Sequence, residues 1–119
     1  MITDLSGKIA VVTGGGTGMG RELVRQLAAG GCDVAFCDLS PDTMAETAAM
    51  VAEEAPDVRL LTHMADVSKE ADLEAFRDAI VDGFDTDHIH LLFNNAGIAG
   101  GGSMFCLLYT SDAADDQAC

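Results

Sequence analysis

Thr13-Gly14-Gly15-Gly16-Thr17-Gly18-Met19-Gly20 lies between the apolar run Ile9-Ala10-Val11-Val12 and the segment Arg21-Glu22-Leu23-Val24-Arg25-Gln26-Leu27. A buried strand that turns sharply into a helix through glycines brings bare backbone against an anion such as a pyrophosphate. Residues without Cβ permit the tight turn and the close approach, and the helix N-terminus adds oriented N–H groups and a partial positive charge. The motif carries meaning only with a strand before it and a helix after it, and both are legible here.

Outward from this turn, apolar strands alternate with amphipathic helices. Lys8–Thr13 reads as a first strand and Met19–Ala29 as a helix with Leu23, Val24 and Leu27 on one face, stopped by Gly30-Gly31. Asp33–Asp38 is a second strand; Ser40 as N-cap and Pro41 in the first turn open a helix over Asp42–Glu54, which Pro56 ends. Val58–Met64 is a third strand. Ser68 reads as the N-cap of the next helix, with Glu70 and Asp72 near its positive end and Leu73–Phe84 as its amphipathic body. Ile89–Phe93 is a fourth strand, followed by Asn94-Asn95-Ala96-Gly97. Short apolar strands each followed by a helix predict an α/β fold, a doubly wound parallel sheet covered on both faces.

Composition narrows the partners. Lys and Arg number 6 against 20 Asp and Glu, a net charge of −14. That argues against nucleic acid and anionic membranes, both of which reward clustered positive charge. It also means that an anionic dinucleotide would be held by backbone N–H groups rather than by a basic surface. No apolar run approaches the ~20 residues of a membrane span, and no secretory signal is visible at the N-terminus. Cys32, Cys37, Cys106 and Cys119 form no C-x-x-C pair or metal spacing. Cys37 reads as a buried thiol acting as a small hydrophobe, and a reducing cytoplasm is the expected location. His88 and His90 share a strand face but have no third ligand in view, so they read as residues at the mouth of a strand. Gly15 and Gly20 have the spacing of a P-loop, yet Arg21-Glu22 stands where Lys-Ser/Thr would hold phosphate and magnesium, which excludes that reading.

Asp38 ends the second strand, 18 residues after Gly20. A strand-end carboxylate at that distance accepts hydrogen bonds from a ribose hydroxyl of NAD and repels the 2′-phosphate of NADP. Gly15, Gly16, Thr17 and Leu39 offer no compensating cation. The alternative role for Asp38 is to cap the turn at Ser40-Pro41.

Together, Thr13-Gly14-x-x-x-Gly18-x-Gly20, Asp38, Asp66-Val67 and Asn94-Asn95-Ala96-Gly97 resemble the N-terminal half of a short-chain dehydrogenase/reductase, over residues 5 to about 105. The resemblance implies a Rossmann-like fold, truncated here after about the fourth strand, and a parent that moves hydride between NAD and an alcohol or carbonyl substrate. It implies that Gly14, Thr17, Gly18, Met19 and Gly20 wrap the pyrophosphate and neighbouring ribose. Asp38, with Leu39 beside it, would hold the adenosine ribose, and Asp66 and Val67 would flank the adenine. Asn94, Asn95, Ala96 and Gly97 would stabilise the sheet and line the cofactor cleft. Read without the family, Asp66 serves equally as an N-cap-type contact before Ser68, and Asn94-Asn95 as a turn pair. The family also implies a homo-oligomeric parent.

The family's chemistry belongs to a Ser, a Tyr-x-x-x-Lys pair and an Asn further along. Tyr109 does not take that role, because Ala113 stands four residues on, and Ser103 follows Gly97 too soon. A dinucleotide-binding sensor without catalysis shares every residue present and is the alternative function. Residues 106–119 break the alternation and resemble translated read-through of a transposon-type sequencing adapter, so the native domain is expected to occupy 1–105. Without a fifth strand beside Ile89–Phe93, the 119 residues are expected to be inactive, poorly soluble and weak or silent in NAD binding.

Overall fold

The computed structural model describes residues 5–86 and 88–94. Four strands, β1 (Ile9–Thr13), β2 (Asp33–Asp38), β3 (Leu60–Met64) and β4 (Leu91–Asn94), alternate with three helices, α1 (Gly18–Ala29), α2 (Pro41–Glu54) and α3 (Glu70–Phe84). All pairings are parallel and the sheet runs β3-β2-β1-β4. This is the doubly wound, Rossmann-like arrangement expected from the alternation.

The core follows from the side-chain period of two along a strand. In β1 every residue is buried. Ile9 and Val11 face one side with Ala35, Cys37, Leu73, Phe76, Ile80 and Phe84, the last four spaced to form the inner stripe of α3. Ala10 and Val12 face the other side with Val34, Phe36, Val24, Leu27, Met44 and Val51, beneath α1 and α2. Leu23 is only half-buried, because Val24, Leu27 and Ala28 carry the buried stripe of α1. Burial pushes the thiols of Cys32 and Cys37 up to about 11, so both stay protonated at neutral pH and pack as small hydrophobes.

Element ends differ from the expected ones where side chains bond in ways the local pattern does not show. Ser40 caps α2 as expected, its Oγ accepting from the Thr43 N–H at 3.3 Å. Ser68, however, does not cap α3. Its hydroxyl donates to Asp66 Oδ1 at 2.6 Å, so Lys69 becomes the N-cap and the helix starts at Glu70. Val58 lies in the turn after α2 rather than in β3. Its N–H donates to Ala55 O, and Asp33 Oδ1 accepts from the Arg59 N–H at 2.8 Å just before the strand begins. Ile89 precedes β4 as an isolated, fully buried bridge residue. There the Ile9 N–H donates to His90 Nδ1 at 3.0 Å while the His90 N–H donates to Ile9 O at 2.9 Å. An imidazole thus replaces a carbonyl at the start of the ladder.

Burial first, then the nearby His88 and Lys8 charges, holds the His90 imidazole below the ordinary histidine range. A histidine with a depressed folded-state pKa contributes stability above its unfolded value, and that contribution is lost as the pH falls through the folded value. Protonation of Nδ1 also removes the acceptor for the Ile9 N–H. The NMR titration of His90 is therefore expected to have a midpoint below about 6.5. The urea midpoint should decline between about pH 7 and about pH 5, and less steeply in His90→Phe.

Candidate functional site

The glycine turn is laid against the end of β2 by main-chain bonds. The N–H groups of Gly14 and Gly15 both donate to Cys37 O, at 2.8 and 3.1 Å. Gly14 has φ +73°, a left-handed conformation that a side chain disfavours. The Gly16 N–H donates to Asp38 Oδ2 at 2.8 Å. A Cβ on Gly16 would lie 2.6 Å from that same oxygen and would collide with Thr43 Oγ1, so the turn closes only with a bare backbone there.

The turn delivers the chain into α1 with an open N-terminus. Thr17 is the N-cap in extended conformation, makes no side-chain cap bond, and the first turn holds no acidic residue. Thr17, Gly18 and Met19 are exposed while Gly20 is buried. Unsatisfied N–H groups at a helix start favour an anion.

Asp38 is fixed twice, by the Gly16 N–H and by the Leu39 N–H, which donates to Oδ1 at 2.7 Å. The Leu39 bond lies in the turn that leads to Ser40-Pro41. Beside it, Asp66 Oδ1 accepts from both the N–H and the hydroxyl of Ser68, at 3.0 and 2.6 Å. The Ser68 hydroxyl chiefly, and then its N–H, holds the Asp66 carboxyl below the usual carboxylate range. The Asp66 N–H donates to Asp72 Oδ2 at 2.9 Å, tying this loop to the first turn of α3.

These loops enclose a cavity of about 250 Å³ at the carboxyl ends of the strands, lined by Gly14, Asp38, Leu39, Asp66 and Val67 together with Ala65 and Ser68. Open α/β sheets bind ligands at this edge. Asn94 lies at the same edge, its Oδ1 accepting from the Thr13 hydroxyl at 3.0 Å across the β1–β4 pair. Asn95, Ala96 and Gly97 lie outside the described residues, as do Ser103, Tyr109 and the segment 106–119.

Two residues of this region, Thr43 and Thr47, were not singled out from the sequence, and Arg21 entered only against a P-loop reading. Thr47 is fully buried and its Oγ1 lies 3.1 Å from both Gly15 O and Gly16 O. Arg21 Nε donates to that oxygen at 2.9 Å. The signal available was the four-residue spacing of Thr43 and Thr47, which puts two hydroxyls on one helix face toward the glycine turn.

The chain matches the short chain dehydrogenase family over residues 8–115 and belongs to that family. It is 41% identical over 98 residues to levodione reductase of Leifsonia aquatica, an alignment covering 82% of this chain and 36% of the relative. The crystal structure of levodione reductase superposes with a TM-score of 0.73 at 34% identity, over 87% of this chain and 43% of that one. NAD+-bound xylitol dehydrogenase superposes with a TM-score of 0.71 at 31% identity, over 79% of this chain and 35% of that one. The chain therefore spans little more than a third of the length of the curated relative.

Gly16→Ala should test the closure of the turn. The added methyl must displace Asp38 or Thr43, and overpacking of this kind costs about 1–3 kcal/mol. A lower urea midpoint at unchanged slope is expected, with faster hydrogen exchange at residue 16 than in β1 or β2.

Proposed function

We propose that this chain is the cofactor-binding part of an NAD-dependent oxidoreductase acting on a small alcohol or carbonyl compound. The observation that carries the reading is Asp38, held by the Gly16 and Leu39 N–H groups on the rim of a cavity at the strand ends. Bound nicotinamide dinucleotide supplies the hydride chemistry. The residues of this chain bind and orient it. Gly14, Thr17, Gly18, Met19 and Gly20 present backbone to the pyrophosphate, and Asp38 accepts the adenosine ribose hydroxyls. Asp66 and Val67 flank the adenine, Leu39 lies beside Asp38, and Asn94 to Gly97 border the cleft. The cavity and the open helix start fit such a ligand.

Catalysis is assigned to the serine and Tyr-x-x-x-Lys of the family, which the 119 residues do not contain, since Tyr109 is the lone tyrosine. The chain by itself is accordingly proposed to lack turnover and to bind NAD weakly or not at all. The parent would be a cytoplasmic homo-oligomer with no nucleic-acid or membrane partner. No described helix is long and apolar enough to cross a membrane. A second reading, a dinucleotide-binding sensor without catalysis, shares every residue present. The coding sequence downstream of Phe105 in the source DNA separates the two: a serine followed by Tyr-x-x-x-Lys indicates the enzyme, and their absence the sensor.

Cofactor choice follows from charge. A carboxylate about 4 Å from a phosphate costs about 4 kcal/mol at an effective dielectric near 20, before solvent and rearrangement reduce it. A third of that is about tenfold in affinity. The expressed full coding sequence is expected to bind NAD at least about tenfold more tightly than NADP, with Asp38→Ala narrowing the gap. Equal affinities by competition titration would overturn the preference.

A further inference from the structure

Thr47 belongs to α2, and an alanine-rich helix gives no reason for a buried hydroxyl at that position. A helical threonine ordinarily satisfies its hydroxyl on the carbonyl four residues back. Thr43 O lies 3.2 Å from Thr47 Oγ1, so that bond is available. Two further acceptors, Gly15 O and Gly16 O, stand closer at 3.1 Å. Arg21 decides how the hydroxyl is used. Its Nε donates to Oγ1 at 2.9 Å, occupying a lone pair and turning the single hydroxyl proton toward the carbonyls. Arg21 is itself held by Thr43 O at 3.2 Å and by the Glu46 carboxylate at 2.9 Å.

The consequence reaches the candidate site through one peptide plane. In a trans peptide the C=O and N–H point in opposite directions from a rigid plane. Gly15 O faces Thr47, so the N–H of the same peptide, that of Gly16, faces away from α2 and meets Asp38 Oδ2 at 2.8 Å. One plane is thereby gripped at both edges, by a hydroxyl on one side and a carboxylate on the other. The next peptide has Gly16 O on the same hydroxyl, which likewise directs the Thr17 N–H away from α2.

We propose that Thr47, oriented by Arg21, is a positioning residue that sets the rotation of the Gly15–Gly16 and Gly16–Thr17 peptides and through them the aim of Asp38. The role rests on the dinucleotide-binding reading for its purpose but not for its geometry. Glycines at both positions leave the planes free to rotate, so an external hold is needed to keep the turn in one shape. Without the hydroxyl the N–H of Gly16 and the carboxylate lose their shared alignment while the cavity walls stay in place.

The test uses the 119-residue chain in three forms: wild type, Thr47→Val, which keeps the shape and loses the hydroxyl, and Thr47→Ser, which keeps the hydroxyl. Hydrogen–deuterium exchange at residue resolution should show Gly16 exchanging about tenfold faster in Thr47→Val, with the β1 and β2 amides unchanged; a buried hydrogen bond is of that order. Thr47→Ser should stay within about twofold of wild type. Unchanged Gly16 exchange in Thr47→Val, or a Ser variant as fast as the Val variant, overturns the proposal. Should Thr47→Val lose protection throughout, Arg21→Met replaces it. Faster exchange at Gly16 with an intact core then supports the role, and no change refutes it. NADH titration of the expressed full coding sequence carrying the same substitutions reads the purpose, with about tenfold weaker binding in the Val variant and recovery in the Ser variant. A full-length wild type that does not bind NADH overturns the dinucleotide reading, while Gly16 exchange in the 119-residue chain still decides the positioning role.

Discussion

The rest of the structure depends on bare backbone lying against the end of β2. Two N–H groups of the glycine turn share the Cys37 carbonyl and a third reaches the Asp38 carboxylate. These bonds continue the β1–β2 ladder past the last paired residues, Thr13 and Cys37, into a segment that is no longer a strand. They fix where α1 begins and how closely α2 approaches the turn. Phe36, fully buried beneath, leaves no space for a Cβ at Gly15. The fold and the candidate site therefore share one constraint. The contact that lets the helices close over the sheet is also the contact that aims the carboxylate.

Much of this was legible from local pattern. Apolar runs of strand length separated by helical periodicity gave the element order and the two faces of the core, because burial on both faces of a parallel sheet leaves little freedom in the choice of residue. The cavity at the strand ends collects Gly14, Asp38, Leu39, Asp66 and Val67, which are scattered over more than fifty positions. What stayed hidden was set by side chains bonding across the sequence. Nothing near Val58 reveals that Asp33 engages Arg59, and nothing near Ile89 reveals that His90 receives the Ile9 N–H. Ser68 is the instructive case. It is a good cap residue with a better local partner in Asp66, and side chains that cap helices also compete for turns.

Thr47 was illegible for a related reason. A threonine within a helix reads as a mildly unfavourable residue with no role, and its spacing from Thr43 says only that two hydroxyls share a face. The acceptors are backbone carbonyls of residues over thirty positions earlier. Backbone groups of glycines leave no trace in a sequence beyond the glycine itself, so the partner of a glycine turn becomes visible only in three dimensions.

Charge closes the account of why such a turn, rather than a basic patch, would face an anion in so acidic a chain. All four arginines are in ion pairs: Arg21 with Glu46, Arg25 with Glu22 and Glu54, Arg59 with Asp33 and Arg77 with Asp78. The first two bind α1 to α2, and Arg59 binds the approach to β3 to the start of β2, so they act as ties between elements. The helix starts differ correspondingly. Ser40 and Asp42 attend the start of α2, and Glu70 and Asp72 that of α3. The start of α1 has neither a side-chain cap nor an acidic neighbour in its first turn. A partial positive charge with no acidic residue in its own first turn is worth most where the surrounding surface is negative, because nearby carboxylates would otherwise repel an anion from every side. On the proposed reading the glycines would have a double use: they would let the ligand approach those N–H groups, and the bare backbone at Gly16 leaves its N–H on the Asp38 carboxylate.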